Sequence, residues 1–266
     1  MSAENDRLKA EMAQKWKQIK QIIKKEKPLI HHITNNVTIN DCANITLNWG
    51  ALPVMAQAAE ESAQMVKKAS ALVLNLGTIS SRQLESMLKA GKKANRLDIP
   101  VIFDPVGIGA TDFRTEAAQK LIAELDFTVI KGNQGEISFL ADQKAELKGV
   151  ESIGNYAEID LIAEKLARDL KTIIVVSSKV DIISNGKITK KIDRGSSLMA
   201  KVVGTGCMLG STLGVFAAAA GFTNFTNIDV LETAVYYYSI AAERSAKTEK
   251  TPAKFKREFM DNIYLL

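Results

Sequence analysis

Short, unbroken runs of Val, Ile and Leu recur along this chain between stretches of helical period, and that alternation narrows its fold more than any other feature. Leu29–Ile33, Ala71–Leu76, Val101–Asp104, Phe127–Ile130 and Ile173–Ser177 are continuous and rich in Val and Ile. Strands have this composition when helices cover both faces of a parallel sheet. Ser80–Leu97, Thr115–Leu125 and Tyr156–Leu170 lie between them with helical spacing. Strand–helix–strand alternation requires right-handed crossovers and predicts a three-layer α/β/α domain with a mostly parallel central sheet. Val180–Ser184 and Lys187–Ile192 flank Asn185-Gly186, a strong signal for a tight hairpin, so an antiparallel edge is expected. Three helical stretches follow, near 206–220, 228–247 and 252–262, the first built of small apolar residues. There is no internal repeat and no low-complexity linker, so residues 1–266 read as one domain that opens on a basic helix, residues 1–27.

The formal net charge of +5 would suit a nucleic-acid binder if it were spread over one face of the fold. It is concentrated instead: residues 7–27 carry eight Lys or Arg against Glu11 and Glu26. Trp16, Ile19, Ile22 and Ile23 fall near one side of that helix, which therefore reads as packed by its apolar stripe, with lysines in solvent. Neither nucleic acid nor a membrane is an expected partner. Two cysteines, Cys42 and Cys207, are too few for a disulfide framework, and no apolar run reaches the length of a membrane span. With a charged N-terminus that lacks a signal-peptide core, these features predict a cytoplasmic protein. Cys42 lies in the helical pattern Asn40–Asn48 and reads as core.

Open α/β sheets bind ligands at the carboxyl ends of their strands, and the polar residues of this chain gather there. His31–Asn36 closes the first run, Asn75–Thr78 another, Asp104–Thr111 a third and Lys131–Glu136 a fourth. Val203–Gly210 leads from irregular chain into the small apolar helix. Glycines let backbone approach a ligand, first-turn N–H groups lack helical partners, and the positive end of the helix dipole favours anions. Gly204, Thr205, Gly206 and Cys207 are thus the candidate centre for phosphate chemistry, their N–H groups stabilising developing charge; a glycine turn for close helix packing is the plainer alternative. Asp104, leaving a buried strand ahead of Pro105 and two glycines, can meet a metal or polar substrate, or cap a turn. Lys131 offers a point charge for phosphate oxygens. Asn133 and Glu136, three apart at a helix start, share a face and can position hydrated Mg²⁺, although an ordinary helix start favours the same residues. His31 and His32 point to opposite faces of a strand, so they read as packing and hydrogen-bonding groups, not as a shared metal site.

Four segments together are specific: ITNNVTINDCAN (33–44), PVMAQAAEE (53–61), DPVGIGAT (104–111) and VGTGCM (203–208). They resemble the hydroxyethylthiazole kinases, ribokinase-like enzymes of thiamin salvage, through nearly the whole chain after residue 27. The resemblance implies ATP and Mg²⁺ as cofactors and 4-methyl-5-(2-hydroxyethyl)thiazole as phosphate acceptor. It further implies a homotrimer with pockets near subunit interfaces. Carried onto this sequence, it implies substrate contacts from Met55, Gly204 and the polar pocket residue Asn35, and ATP contacts from Lys131 and Ser177. The family usually has Arg and Thr at those last two positions; Lys keeps the charge without the bidentate fork, and Ser keeps a hydroxyl.

Cys207 stands where the wider ribokinase-like group usually places Asp as catalytic base, and where this family places Cys. The loose transition state of phosphoryl transfer asks little of a base and much of positioning. The Gly204–Cys207 anion hole, Mg²⁺ and substrate alignment are therefore expected to supply most of the acceleration, with Cys207 orienting the hydroxyl and accepting its proton late. Hydroxymethylpyrimidine kinases share the fold class and the Cys turn, but the ITN and PVM segments favour the thiazole enzyme. A Rossmann oxidoreductase would need G-x-G-x-x-G after the first strand, which ends instead in His-His-Ile-Thr-Asn-Asn. A non-catalytic thiazole or nucleotide binder would result if the exchanges at Lys131 and Ser177 abolished ATP use.

Overall fold

The protein's computed structural model describes residues 2–147 and 158–266. Its strands are β1 (Leu29–Ile33), β2 (Leu52–Val54), β3 (Ala71–Asn75), β4 (Val101–Asp104), β5 (Val129–Asn133), β6 (Ile173–Ser177), β7 (Asp181–Ser184) and β8 (Thr189–Ile192). They form one sheet in the order β2-β1-β3-β4-β5-β6-β7-β8. Pairings are parallel from β2 through β6, and β7 and β8 add the expected antiparallel edge.

The apolar runs form strands because alternate side chains enter two separate cores. Ile30, Val73, Ile102, Val129 and Val175 face a cluster shared with α1 (Ser2–Glu26), α2 (Ile39–Asn48), α8 (Thr205–Ala220), α9 (Asn227–Thr248) and α10 (Pro252–Leu265). Leu72, Leu74, Phe103, Ile130, Ile174 and Val176 face the other, shared with α3 (Ser62–Val66), α4 (Ser81–Asn95), α5 (Asp112–Glu124), α6 (Gln134–Leu147) and α7 (Ile159–Leu170). The result is the three-layer α/β/α fold. The chain leaves β1 for β2 on one side and β3 on the other, so the crevice of this sheet opens at the carboxyl ends of β1 and β3. Among the described residues, no helix is long and apolar enough to cross a membrane.

Several elements differ from expectation. β2 is a strand of three residues containing Pro53, tolerated because the strand lies at the sheet's edge. β5 runs later than the apolar run: Phe127 stacks on Phe103 at 4.9 Å, and Lys131, Gly132 and Asn133 take the ladder positions beside Val175, Val176 and Ser177. The hairpin is not a two-residue turn, for Ser184 pairs with Thr189 and leaves residues 185–188 as the loop. There the Asn185 side chain accepts from the Lys187 and Ile188 amides, while Gly186 takes φ +80°. α7 begins at Ile159; Tyr156 and Ala157 of the predicted helix lie outside the described residues.

The basic N-terminal helix is part of the core. Met12, Trp16, Ile19 and Ile23 are buried, and the Trp16 ring meets Trp49, Phe216 and Tyr237. Lys15 is buried as well, its Nζ 2.7 Å from Glu11 and 3.3 Å from both Asp229 and Glu232. The helix stops at Lys27, whose φ of 44° is left-handed, just ahead of Pro28.

Candidate functional site

β1, β3, β4 and β5 deliver their last residues to one edge of the sheet. Asn75 and Asp104 lie side by side in the β3–β4 register, and Lys131 reaches them from β5. Lys131 Nζ lies 3.2 and 3.3 Å from the two Asp104 carboxylate oxygens. Asn75 Nδ2 donates to Asp104 Oδ2 at 2.9 Å and to Cys207 Sγ at 3.4 Å. Asn35 Nδ2 donates to Asn75 Oδ1 at 2.9 Å and to the same sulfur at 3.3 Å. The orientation of both amides is dictated by backbone donors. Asn75 Oδ1 accepts the Gly77 N–H, and Asn35 Oδ1 accepts those of Val37 and Thr38, so each nitrogen must face the sulfur. A polar row therefore runs Lys131–Asp104–Asn75–Asn35–Thr38, with Cys207 set against its two carboxamides.

Both charges in that row are buried. Burial pushes the Asp104 carboxyl up to about 6, against the pull of the Lys131 ammonium. Burial also works against charge on Lys131, but Asp104 first and Glu136 next outweigh it and hold the ammonium above its usual range. Removing either partner would leave an uncompensated buried charge, worth roughly 3–5 kcal/mol.

α8 enters this row end-on. Gly204 has φ +98°, and a Cβ there would come within 2.8 Å of Thr38 Cγ2, so both conformation and space require glycine. The first helical bond runs from the Met208 N–H to Gly204 O, which leaves the N–H groups of Thr205, Gly206 and Cys207 without helical acceptors. A Cβ on Gly206 would lie 3.1 Å from Lys131 Nζ, and one on Gly210 3.6 Å from Asp104 Oδ2. The helix N-terminus and a buried ammonium thus converge, an arrangement suited to a phosphoryl group. The Thr205 hydroxyl turns away, donating to Met199 O at 3.1 Å, and Thr205 O accepts from Tyr238.

Asn133 and Glu136 grip each other. The Glu136 N–H donates to Asn133 Oδ1 at 2.9 Å, the Asn133 N–H to Glu136 Oε2 at 2.8 Å, and Glu136 Oε1 accepts from Gly107 at 3.0 Å. This is a reciprocal helix cap. Among the described residues, no group of three or more His, Cys, Asp or Glu is arranged to hold an ion. Asp104 and Glu136 are the carboxylates that the ends of β4 and β5 bring to this edge of the sheet, and one or two carboxylates are what an ion that keeps water and phosphate ligands borrows from a protein.

Ser177 and Met55 lie outside the polar row. Ser177 is next to Asn133 in the β5–β6 register, and its Oγ donates to Gly132 O at 3.3 Å. The turn after it is held by Asp181, which accepts from the Ser178 N–H at 2.9 Å and from Ser239 Oγ at 3.3 Å; burial pushes that carboxyl up to about 6. Met55 is half-buried just beyond β2. His31 Nε2 lies 2.8 Å from Ala56 O, and Gln83 donates to Gln57 and Thr34 O, tying the Met55 segment to the end of β1. His32 is buried between Ile30 O and Ser211 Oγ, and burial pushes its pKa down to about 3. Cys42 is buried core, its thiol pushed up to about 11 by desolvation.

Sequence reasoning passed over Asn75, Thr38, Asp181 and Arg114 as functional groups. Asn75 had a signal, a polar residue closing an apolar strand; Thr38, Asp181 and Arg114 show their place only once the fold brings Gly204, Ser239 and Leu76 to them. A cleft of about 690 Å³ between α1, α7, β8 and α9, lined by Leu8, Leu161, Lys190 and Tyr236 among others, contains none of the site residues.

The sequence pattern described as "HK: Hydroxyethylthiazole kinase family" matches residues 19–266. A protein of Thermoanaerobacter sp. named hydroxyethylthiazole kinase is 46% identical over 252 residues, covering 94% of each chain. A solved structure of the hydroxyethylthiazole kinase protein from Pyrococcus horikoshii superposes with a TM-score of 0.85 at 34% identity, over 95% of this chain and 93% of that one. A ribokinase-like superfamily protein from Enterococcus faecalis, 16% identical, shares the fold with a TM-score of 0.63 over 88% of this chain and 86% of its own.

Proposed function

This chain belongs to the hydroxyethylthiazole kinase family and phosphorylates hydroxyethylthiazole in thiamin salvage, and from that premise we propose how its residues divide the work. The thiazole binds between Asn35, Met55 and Gly204, with its hydroxyl beside Cys207 Sγ. ATP, the phosphate donor of a kinase, approaches from the Ser177 turn. The N–H groups of Thr205, Gly206 and Cys207 receive the transferring phosphoryl, and the Lys131 ammonium adds its charge at the same turn. Cys207 orients the hydroxyl and takes its proton late.

Mg²⁺ neutralises phosphate charge when bound, and Glu136, Asp104 and Asn133 are the groups that would hold it, one or two carboxylates at a time. The observation that carries this reading is Cys207 Sγ, held by the Asn35 and Asn75 amides at 3.3 and 3.4 Å beside a helix N-terminus and a buried Lys131. Apolar side chains exposed near the site support a homotrimer with pockets near its interfaces: Val203 is 71% exposed and Val37 66%. Use of ATP and two free cysteines support a cytoplasmic site of action.

ADP release on adding hydroxyethylthiazole, with and without Mg²⁺ and alongside hydroxymethylpyrimidine, tests the proposal. Mg²⁺-dependent release that strongly favours the thiazole is expected. Equal rates with the two acceptors, or activity with the pyrimidine alone, would overturn the acceptor assignment.

A further inference from the structure

Arg114 stands in the first turn of α5, where a cation opposes the positive end of the helix dipole. A residue set against its local electrostatics commonly answers to another contact. Among the described residues no carboxylate pairs with its guanidinium. Instead Nη1 donates to Leu76 O at 2.9 Å and to Val106 O at 2.8 Å, and Nη2 to Gly77 O at 2.5 Å. These carbonyls belong to two loops, one leaving β3 and one leaving β4. Gly107, at φ +71°, makes room: a Cβ there would stand 3.2 Å from Nη1.

Each loop continues into the site. The Gly77 N–H donates to Asn75 Oδ1, which turns the Asn75 nitrogen toward Cys207 Sγ and Asp104. The Gly107 N–H, one residue past Val106, donates to Glu136 Oε1. We propose that Arg114 is a positioning residue for phosphoryl transfer: its guanidinium clamps the β3 and β4 loops together and so sets the acceptor side, through Asn75, against the phosphate side, through Glu136. The proposal rests on the kinase reading above. None of the guanidinium's hydrogen bonds reaches the anion hole itself. Its planar fork spans three carbonyls on two loops, which the point charge of Lys cannot reproduce.

Steady-state kinetics of wild type, Arg114→Ala and Arg114→Lys, with thiazole and ATP varied in turn, test this alongside thermal melting. Arg114→Ala is expected to stay folded and lose kcat by about 10²-fold, the scale of a small misplacement in a reacting pair. The KM for the thiazole should change far less. Guanidinium ion at low millimolar concentration should restore several-fold of the lost kcat, and Arg114→Lys should remain about tenfold below wild type. A folded Arg114→Ala with wild-type kcat, a loss confined to KM, or a loss that guanidinium leaves unchanged would overturn the proposal. Should Arg114→Ala fail to fold, Arg114→Lys decides: a tenfold lower kcat in folded protein supports the clamp, and wild-type kcat refutes it. Wild-type enzyme inactive on the thiazole would instead sink the kinase reading, and the same assay reveals that before any variant is made.

Discussion

Cys207 receives two N–H donors from neutral carboxamides, which fix the direction of its sulfur without adding charge to it. A base so held is suited to aiming a hydroxyl at an in-line phosphorus and taking up its proton after the transition state. A carboxylate at the same position could accept the same two amides. Cys207→Asp should therefore keep or raise turnover, whereas Cys207→Ala, with nothing to orient the hydroxyl, should lose about 10²-fold. Single-turnover kinetics on the two variants checks this, and an inactive Asp variant that still binds the thiazole would contradict it. Lys131 is a residue whose role sequence alone placed only loosely. It reads as a phosphate contact, but its pairing with Asp104 depends on the register of β3, β4 and β5, which no local pattern reveals.

His32 makes a pH-dependent prediction at the same scale. Burial lowers its folded pKa from the usual imidazole value of 6.5 to about 3, so the stability it contributes is present above pH 6.5 and is lost as pH falls toward 3. The unfolded chain binds the extra proton first. At about 1.4 kcal/mol per pH unit, this group alone should remove roughly 3 kcal/mol between pH 7 and pH 4.5. Urea midpoints of wild type and His32→Asn at those two pH values provide the check. The variant should lose less on acidification, and equal losses would contradict the assignment.

Among the elements, α8 is the one on which fold and site both depend. It lies flush on the sheet because Gly214 permits it: a Cβ there would come within 2.7 Å of Val73 Cγ2 and 3.3 Å of Ile30 Cγ2. Alanine would gain about 1 kcal/mol in helix propensity but incur roughly 1–3 kcal/mol of overpacking against two β-branched side chains. Gly214→Ala should lower the melting temperature, and an unchanged or raised value would show that the helix can lift without loss. α1 makes a similar test beyond the family match, which begins at residue 19. The Trp16 indole stacks on Phe216 at 5.6 Å and donates to Leu266 O at 3.1 Å, so Trp16→Ala should cost roughly 3–5 kcal/mol by urea unfolding.

Legibility in the sequence followed the range of the forces involved. β1, β4 and β6 were readable to the residue because two-sided burial calls for runs rich in Val, Ile and Leu, and a polar or charged side chain appears toward the carboxyl end of each. β2 was not, since three edge residues including Pro53 carry no period. Asn133 and Glu136 show how one spacing can serve two ends, for the pair that suggests a metal is also a reciprocal cap. Arg114 was invisible as a clamp because its acceptors lie up to 38 residues away.

Across the whole molecule, a single sheet divides two cores and gathers four strand ends and one helix N-terminus at the same edge. Exposed Val37 and Val203 lie on the segments that meet where Thr38 packs against Gly204, so assembly would cover apolar surface next to the acceptor site. The proposed homotrimer predicts about three times the 29.0 kDa chain mass by light scattering; a monomer at assay concentrations would leave the pocket to one chain alone. The most direct test of the central claim is to incubate the protein with ATP, Mg²⁺ and hydroxyethylthiazole and quantify phosphate ester and ADP together. One thiazole phosphate per ADP, strongly reduced in Cys207→Ala, is the predicted result, and ADP formed without the ester, or no ADP at all, would contradict it.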